Sequence, residues 1–375
     1  MTLEDIRKEI DSIDAQLLPL VKARMDCAKK VAEIKMEQGL PIFNAERERQ
    51  ILERVAQNAG EYGGEAKIVY STLMEASRAL QHNMMGDGRE IRALVENAGR
   101  KLRHTGHIAC AGVKGSYSHE AAERLFPDSD PLFYHTFADV VFAIEDGSAD
   151  LGLLPVENSS AGSVSEVYDL ILKYRFSIVA ATTLRIHHCL AVPVGADLEK
   201  VTTVYSHHQA LSQCSDFIAR SSYSPAPFSN TAAAAKMVAE TGGNLAAICS
   251  EQAADVHGLQ IVKRDIQNSD NNCTRFIAIS RERCIPDDAQ KISLCFSLPH
   301  TTGSLYSVLS RFAINGLNLT KIESRPIANA GKNFEYDFYL DFTGNIRQAQ
   351  TLDLIASLQE ELPRFSFLGN YREDE

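Results

Sequence analysis

"IRKEIDSIDAQLLPLVKARMDCAKKVAEIK" (residues 6–35) decides how the chain begins. Ile6, Ile10, Ile13, Leu17, Val21, Ala28 and Val31 recur at three- and four-residue steps, the period of one face of an α-helix. The spacing predicts one long amphipathic helix, broken at "EQGLPIFN" (37–44) by Gly39 and Pro41. At about 100° per residue, Arg24 and Lys35 fall near the centre of the apolar stripe. A buried, unpaired cation is costly, so two of them point to an anion pocket rather than to two snorkelling side chains. They stand about 16 Å apart along the axis at a rise of about 1.5 Å per residue, and their side chains can converge on a small dianion. Arg47 in "NAERERQ" (44–50) and the pair Ser77/Gln81, one turn apart on one face, would close the cage. Glu48 would accept from a ligand hydroxyl. Arg7, about 25 Å from Arg24 on the same rise, is too far to touch the same molecule. If it binds, it binds a ligand of the other chain, in a dimer of interleaved long helices.

Two more helices follow, from about Ala45 to Gln57 and about Glu65 to Met84, and Gly86 and Gly88 mark an exit. The pieces "IRKEIDSIDAQLLPLVKARMDCAKKVAEIK", "RERQILERV" and "SRALQ" resemble the all-helical chorismate mutases over essentially all of residues 1–85. The resemblance implies carboxylate-binding roles for Arg7 (from the partner chain), Arg24 and Arg47. It also implies donation by Lys35 and Gln81 to the ether oxygen, Glu48 near the substrate hydroxyl, and Ser77 in the pocket wall. Asn44 stands where family members often place Asp. A Claisen rearrangement needs no nucleophile or base, only a folded conformer and donors aimed where the breaking ether gathers charge.

The bulk numbers set the frame. The 375 residues allow two or three domains, and 45% hydrophobic with 23% charged residues is ordinary globular composition. A formal charge of −11 gives nonspecific nucleic-acid binding little support. No apolar run approaches a membrane span. The eight cysteines show no CxxC and read as thiols of a reducing cytoplasm. His187-His188 and His207-His208 do not complete a tetrahedral site, since adjacent strand residues face opposite ways. No metal and no cofactor is expected.

From about Thr105 to Cys284, strands such as "HIACAGV", "LGLLPVE" and "TRFIAIS" alternate with helices such as "EAAERLF" and "TAAAAKMVAE". The alternation implies parallel sheet covered by helices, in two α/β lobes with a ligand in the crevice between them. Three clusters open helices: "GSYSHEAA" (115–122), "ENSSAGSVSEV" (157–167) and "SNTAAAA" (229–235). Unpaired N–H groups at helix starts, with hydroxyls beside them, make carboxylate cradles. The polar knot "DNNCTRFIAIS" (270–280) runs straight into an apolar strand. Together these point to a site for a molecule with several carboxylates.

"GVKGSYSHEAA", "LLPVENSSAGSV", "VYSHHQALSQC", "NTAAAA" and "CTRF" resemble prephenate dehydratases over most of residues 105–284. The resemblance implies that Thr274 and Arg275 face the crevice, and that Asn158, Gln213 and the helix mouths at Ser116, Ser118, Thr231 and Ala232 hold substrate. Thr274 would donate to the leaving hydroxyl, and Arg275 would fix a carboxylate or the Thr loop. Glu157 is either a substrate-facing acid or the anchor of "ENSS". Cys214 and Cys273 read as packing.

After "IPDDAQK" (285–291) the order strand, helix, strand, strand, helix, strand is that of a ferredoxin-like unit. "HTTGSLYSVLSRFAINGLNLTKIESRP" (300–326) resembles the ACT family of amino-acid sensors. The resemblance implies phenylalanine near Gly303, Ser304, Leu305, Asn318 and Leu319, with Glu323, Ser324 and Arg325 of "ESRP" coupling to the catalytic part. Related dehydratases often read GAL where this chain has Gly303-Ser304-Leu305. A structural dimerisation module is the other reading of this region.

The expectation is a multidomain chain: a helical mutase-like domain over 1–90, a two-lobed α/β domain over 105–284, and a ferredoxin-like βαββαβ ACT domain over 291–375. Its function would be chorismate to prephenate, then prephenate to phenylpyruvate, with feedback by L-phenylalanine, in a cytoplasmic homodimer or higher oligomer. The alternatives are a non-catalytic amino-acid or anion-binding regulator, or an enzyme with one of the two activities.

Overall fold

The computed structural model describes residues 1–86, 88–102, 105–327 and 336–374. They form two compact units: Met1–Asn97 with Ile292–Phe367, and Ala98–Lys291 with Leu368–Glu375. Among the described residues, no helix is long and apolar enough to cross a membrane.

The first unit starts with the helix Leu3–Gln38, opened by a capping box between Thr2 and Asp5 and closed by Gly39 in the left-handed region. Pro19 sits inside it without breaking it, although proline removes one ladder hydrogen bond. The apolar stripe is not buried where the periodicity placed it: within this helix only Ala28 and Ala32 are buried, while Ile6, Ile10, Ile13 and Leu17 are exposed. The helix Ala45–Asn58 begins at Asn44, whose side chain accepts from the Arg47 N–H. The helix Gly63–Met85 buries a mostly polar face of Glu75, Ser77, Arg78, Gln81 and His82 beside Met74.

A fourth helix, Arg89–Asn97, starts where Gly86 and Gly88 read as an exit. Ile91 and Val95 are its buried residues. Gly88 has φ +78°, and a Cβ there would lie 2.4 Å from that of Ala356, so the glycine permits a close approach. The order βαββαβ is observed at the C-terminal end: strands Lys291–Ser297, Leu319–Pro326, Tyr336–Thr343 and Ser366–Asp374, with helices Ser304–Ile314 and Ala349–Glu361. The final strand does not stay with the others throughout. From Leu368 it belongs to the second unit, where Arg372–Asp374 pair in parallel with Ala180–Thr182.

The second unit holds two sheets. In the first, Ser177–Arg185, Cys273–Ser280, Leu151–Asn158, His107–Ala111 and Asp130–Tyr134 lie in that order. The second runs Leu259–Lys263, Cys189–Pro193, Leu245–Cys249, Thr203–His207, Ser224–Phe228. Neither sheet is purely parallel, which corrects the expectation from alternation. Cys273–Ser280 is antiparallel to both neighbours, and so is Cys189–Pro193. These strands flank the segments that carry the chain from one lobe to the other and back, and each return reverses direction. Between Arg275 and Phe276 the register passes from Glu157 to Pro155, so Val156 is the extra residue of a bulge in the neighbouring strand Leu151–Asn158.

Buried charge ties the first unit together. Burial by itself raises the Glu361 carboxyl, but the hydrogen bond from His82 and the charges of Arg311 and Arg78 outweigh it and hold the group at about 2, below its usual 4.5. A carboxyl lowered by folding stabilises the fold above its unfolded value, and the contribution fades as pH falls from 4.5 toward 2. Glu361→Gln is expected to lower unfolding free energy by about 3 kcal/mol near neutral pH. The gap to wild type narrows as urea titrations are moved below about pH 4; a gap that does not change with pH would contradict this assignment.

Candidate active sites

The first unit contains a cavity of about 270 Å³ lined by Arg24, Lys35, Asn44, Arg47, Glu48, Ser77, Arg78 and Gln81 among others. The first helix delivers the Arg24 guanidinium, which donates to Leu73 O at 2.9 Å and to Ser77 Oγ at 2.5 Å. Lys35, one turn from the end of that helix, donates to Ile42 O at 2.5 Å. Burial lowers the Lys35 pKa, and the Glu48 carboxylate opposes the shift. Arg47 is exposed at the rim. Gln81 Nε2 donates to Ser77 O at 3.2 Å, while its Oε1 is buried without a hydrogen-bond partner. Arg7 is exposed on the first helix and does not line this cavity.

Glu48 is not available to a ligand alone, because the Arg78 guanidinium bonds one of its oxygens. Arg78 is the residue that the sequence reading missed. Its side chain is 6% exposed, it bonds Glu75 as well, and it lies over the Phe43 ring at 5.0 Å. A signal was present in "SRALQ": Arg78 is three residues from Glu75 and from Gln81, hence on one face with both.

The second unit contains a cavity of about 230 Å³ between its lobes. Tyr117, Asn158, Asn272 and Thr274 come from one side, and Ile186, His188, His207, Gln213 and Ser229–Thr231 come from the other. Among the described residues, no Lys, Arg, Asp or Glu lines it. Asn158 Oδ1 accepts from the N–H groups of Ser160 and Ala161 at 3.0 and 2.9 Å. That fixes the amide's orientation, since only its oxygen can accept. Asn158 Nδ2 therefore donates to Thr274 Oγ1 at 2.9 Å, which leaves the threonine's own O–H to donate elsewhere.

Gln213 Oε1 meets His188 Nε2 at 2.9 Å, so the buried imidazole donates there. Burial lowers the pKa of His188 and of His207 and favours neutral rings. Asn272 Nδ2 and His188 Nδ1 are buried without a hydrogen-bond partner, a costly state that a bound ligand or water would relieve. Asn230 caps the helix Thr231–Thr241, accepting from Ala233 N at 2.7 Å.

Several expected residues lie elsewhere. Arg275 does not face the crevice: side chains alternate along the strand, so it points away from Thr274. It bonds Glu373 and, at 2.8 Å, Tyr371 Oη. Glu157 is directly opposite Arg275 in register and shares its face, which favours the anchor reading over the substrate-facing one. Ser116 caps the helix Tyr117–Leu125, Ser118 is buried in it, and Ala232 is fully buried; none of the three lines the cavity. His207 and His208 do not diverge, because the strand ends at His207 and a helix begins at His208, leaving ring centroids 4.1 Å apart. Tyr117, His188 and Asn272 also line the cavity; they lie in "GSYSHEAA", the pair His187-His188 and "DNNCTRFIAIS", where the sequence reading gives none of them a role at the site.

A third cavity, of about 380 Å³, lies in the C-terminal part of the first unit. Ser304 and Leu305 line it with Pro299, Thr301, Tyr336 and Phe338. Gly303 precedes the helix with φ +86°. Asn318 and Leu319 are outside the lining: Asn318 O accepts from Thr343 N and Leu319 pairs with Phe342. Glu323 meets Lys321 at 3.3 Å, Ser324 pairs with Phe338, and Arg325 lies 5.8 Å from the Tyr339 ring.

Comparison with known proteins matches both spans. Residues 6–82 fit the family model for chorismate mutase type II, and residues 108–284 that for prephenate dehydratase. The bifunctional chorismate mutase/prephenate dehydratase of Enterobacter agglomerans is 32% identical, covering 98% of this chain and 95% of the relative. Among solved structures, GqqA, described as a novel type of quorum quenching acylase, is 30% identical with TM-score 0.65, covering 71% of this chain and 97% of that one. Prephenate dehydratase from Arthrobacter aurescens in complex with L-Phe is 27% identical with TM-score 0.64, covering 71% and 89%. A helical isomerase segment and an α/β lyase segment thus stand in one chain, which belongs to the bifunctional chorismate mutase/prephenate dehydratase family.

Proposed function

We propose that the cavity between Arg24 and Lys35 carries the mutase reaction and that the cavity at Thr274 carries the dehydratase reaction. One observation supports the division: each matched family span encloses one of the two cavities, and their walls differ in chemistry. The first wall is cationic. Arg24 and Arg47 hold the carboxylates of chorismate in a folded conformer, and Lys35 and Gln81 donate where the breaking C–O bond gathers charge. Ser77 shapes the pocket under Arg24, and Glu48 takes the substrate hydroxyl.

The second wall is neutral. A carboxylate held by amides and hydroxyls, away from cations, is less stabilised as an anion and departs more readily as carbon dioxide. The electrons released move through the ring and expel hydroxide, which the Thr274 O–H assists toward water. Asn158, Gln213 and Thr231 hold the substrate, with Asn272 and His188 joining them. Thr274 Oγ1 is bonded to an amide rather than to a base, so the acylase likeness adds no second reading of this site.

The C-terminal region is an ACT-type sensor in this reading. L-phenylalanine sits in the third cavity with its polar end at the helix start by Ser304 and its ring against Leu305 and Phe338; the Arthrobacter relative was solved with that amino acid. The exposed stripe of the first helix, with Ile10, Ile13 and Leu17 each at least half exposed, is covered by a second copy, which brings Arg7 to its partner's cavity. Every described cysteine is an unbridged thiol, in keeping with a reducing cytoplasm.

Thr274→Ala is expected to lower phenylpyruvate formation from prephenate at least about a hundredfold while mutase turnover persists; near-normal phenylpyruvate output removes Thr274 from this role. Arg7→Ala and Arg24→Ala are each expected to be inactive as mutases. Mixed with verified subunit exchange, they recover about a quarter of wild-type activity, because half the dimers then hold one intact site. No recovery would mean the site is not shared. Leu305→Asp is expected to weaken L-phenylalanine binding at least about tenfold in calorimetry, and unchanged binding would place the effector elsewhere.

A further inference from the structure

The buried polar face of the helix Gly63–Met85 forms a chain of charges that starts in the mutase cavity and ends on the C-terminal helices. Arg78 bonds Glu48 through Nη1 and Glu75 through Nη2. Glu75 also accepts from Ser307 and, at 2.7 Å, from Arg311 Nε. The other end of Arg311 bonds Glu361, whose second oxygen meets His82 Nε2 at 2.5 Å. Arg78 Nε has no hydrogen-bond partner and lies 4.0 Å from Glu361 Oε2. Side-chain exposure along the line is 10% or less except at Glu48, 22%, which faces the cavity.

Three carboxylates here share two guanidiniums. Withdrawing one guanidinium from such a line leaves uncompensated buried charge, and the remaining one must move to meet it. Arg78 is already bonded to Glu75 and faces Glu361. Without Arg311, both carboxylates draw it away from Glu48. Glu48 is then free to draw Lys35, which lines the same cavity and whose charge it already favours. A lysine that turns to Glu48 no longer presents its proton to the substrate.

We propose that Arg78 is a positioning residue of the mutase site, and that Arg311 in the C-terminal region holds it in place through Glu75 and Glu361. Neither residue touches the reacting atoms. The mutase cavity takes its working shape only with these C-terminal helices docked on it. The inference rests on the reading of the Arg24–Lys35 cavity as the mutase site.

The test is a double-mutant cycle on the full chain between Arg311→Met and Glu48→Gln, reading mutase kcat/KM from chorismate and dehydratase activity from added prephenate. Arg311→Met is expected to lower mutase kcat/KM about tenfold in the wild-type background and by less than about twofold on top of Glu48→Gln. Dehydratase activity is expected to stay within about twofold. An unchanged mutase overturns the proposal. So do losses that add equally in both backgrounds, since general damage does not depend on Glu48. Should Arg311→Met fail to fold, Arg311→Lys keeps the charge with poorer geometry and runs the same cycle, with a smaller loss that again vanishes in Glu48→Gln. Arg24→Ala separates the two readings: full mutase activity there sinks the site assignment, whereas an inactive Arg24→Ala beside additive Arg311 effects sinks only the positioning role.

Discussion

A guanidinium withdrawn from water has to meet carboxylates, and that requirement organises both units. In the first, Arg78 and Arg311 are shared among Glu48, Glu75 and Glu361. In the second, Glu373 takes Arg275 on one oxygen and Lys291 on the other. Losing one member of a buried pair typically costs about 3–5 kcal/mol, because the other charge is left buried and uncompensated, so each cluster holds its elements to one arrangement. The clusters also pin particular rotamers beside the cavities, because a bonded guanidinium cannot wander.

The two cavity walls differ in the way the two proposed reactions ask. The rearrangement keeps both carboxylates and only redistributes charge toward an ether oxygen, so fixed cations help throughout. Decarboxylation removes a charge from the substrate, and a cation clamped on the departing carboxylate would hold back the step. The sequence puts this difference in the residue types. Arg24, Lys35 and Arg47 converge on one cavity, while amides, hydroxyls and neutral imidazoles converge on the other. Where Arg275 does stand next to Thr274 in sequence, strand alternation turns it to the opposite face.

Much of this was legible in the residues. The 3.6-residue period located the long helix, and the cations on its stripe, Arg24 and Lys35, line the cavity proposed for the mutase reaction. From the knot at Asp270–Arg275, Asn272 and Thr274 line the cavity proposed for the dehydratase reaction. What could not be read has physical causes. Period alone marks the apolar stripe but does not say which surface covers it. Arg78 reads as a solvated helix residue until Arg311 and Glu361, more than 230 residues away, are brought beside it. Cap residues such as Ser116 are spent on their own helix, so a helix start counts as a ligand site only where the fold turns it to a cavity. Alternation along the strand Cys273–Ser280 does carry the opposite facing of Thr274 and Arg275.

The last strand shows why these constraints belong together. Its final residues leave the first unit and pair with Ala180–Thr182, beside the strand that carries Thr274. Gly369 permits this, because a Cβ there would lie 2.2 Å from Ile178 O. With Tyr371 and Glu373 delivered to Arg275, the side chain next to Thr274 is held by the last strand as well as by its own sheet. The neighbouring strand Leu151–Asn158 carries a bulge at Val156, which interrupts the ladder on that side of Arg275. A side chain anchored there from a second strand restores the rigidity that a hydroxyl needs if it is to donate along one direction only.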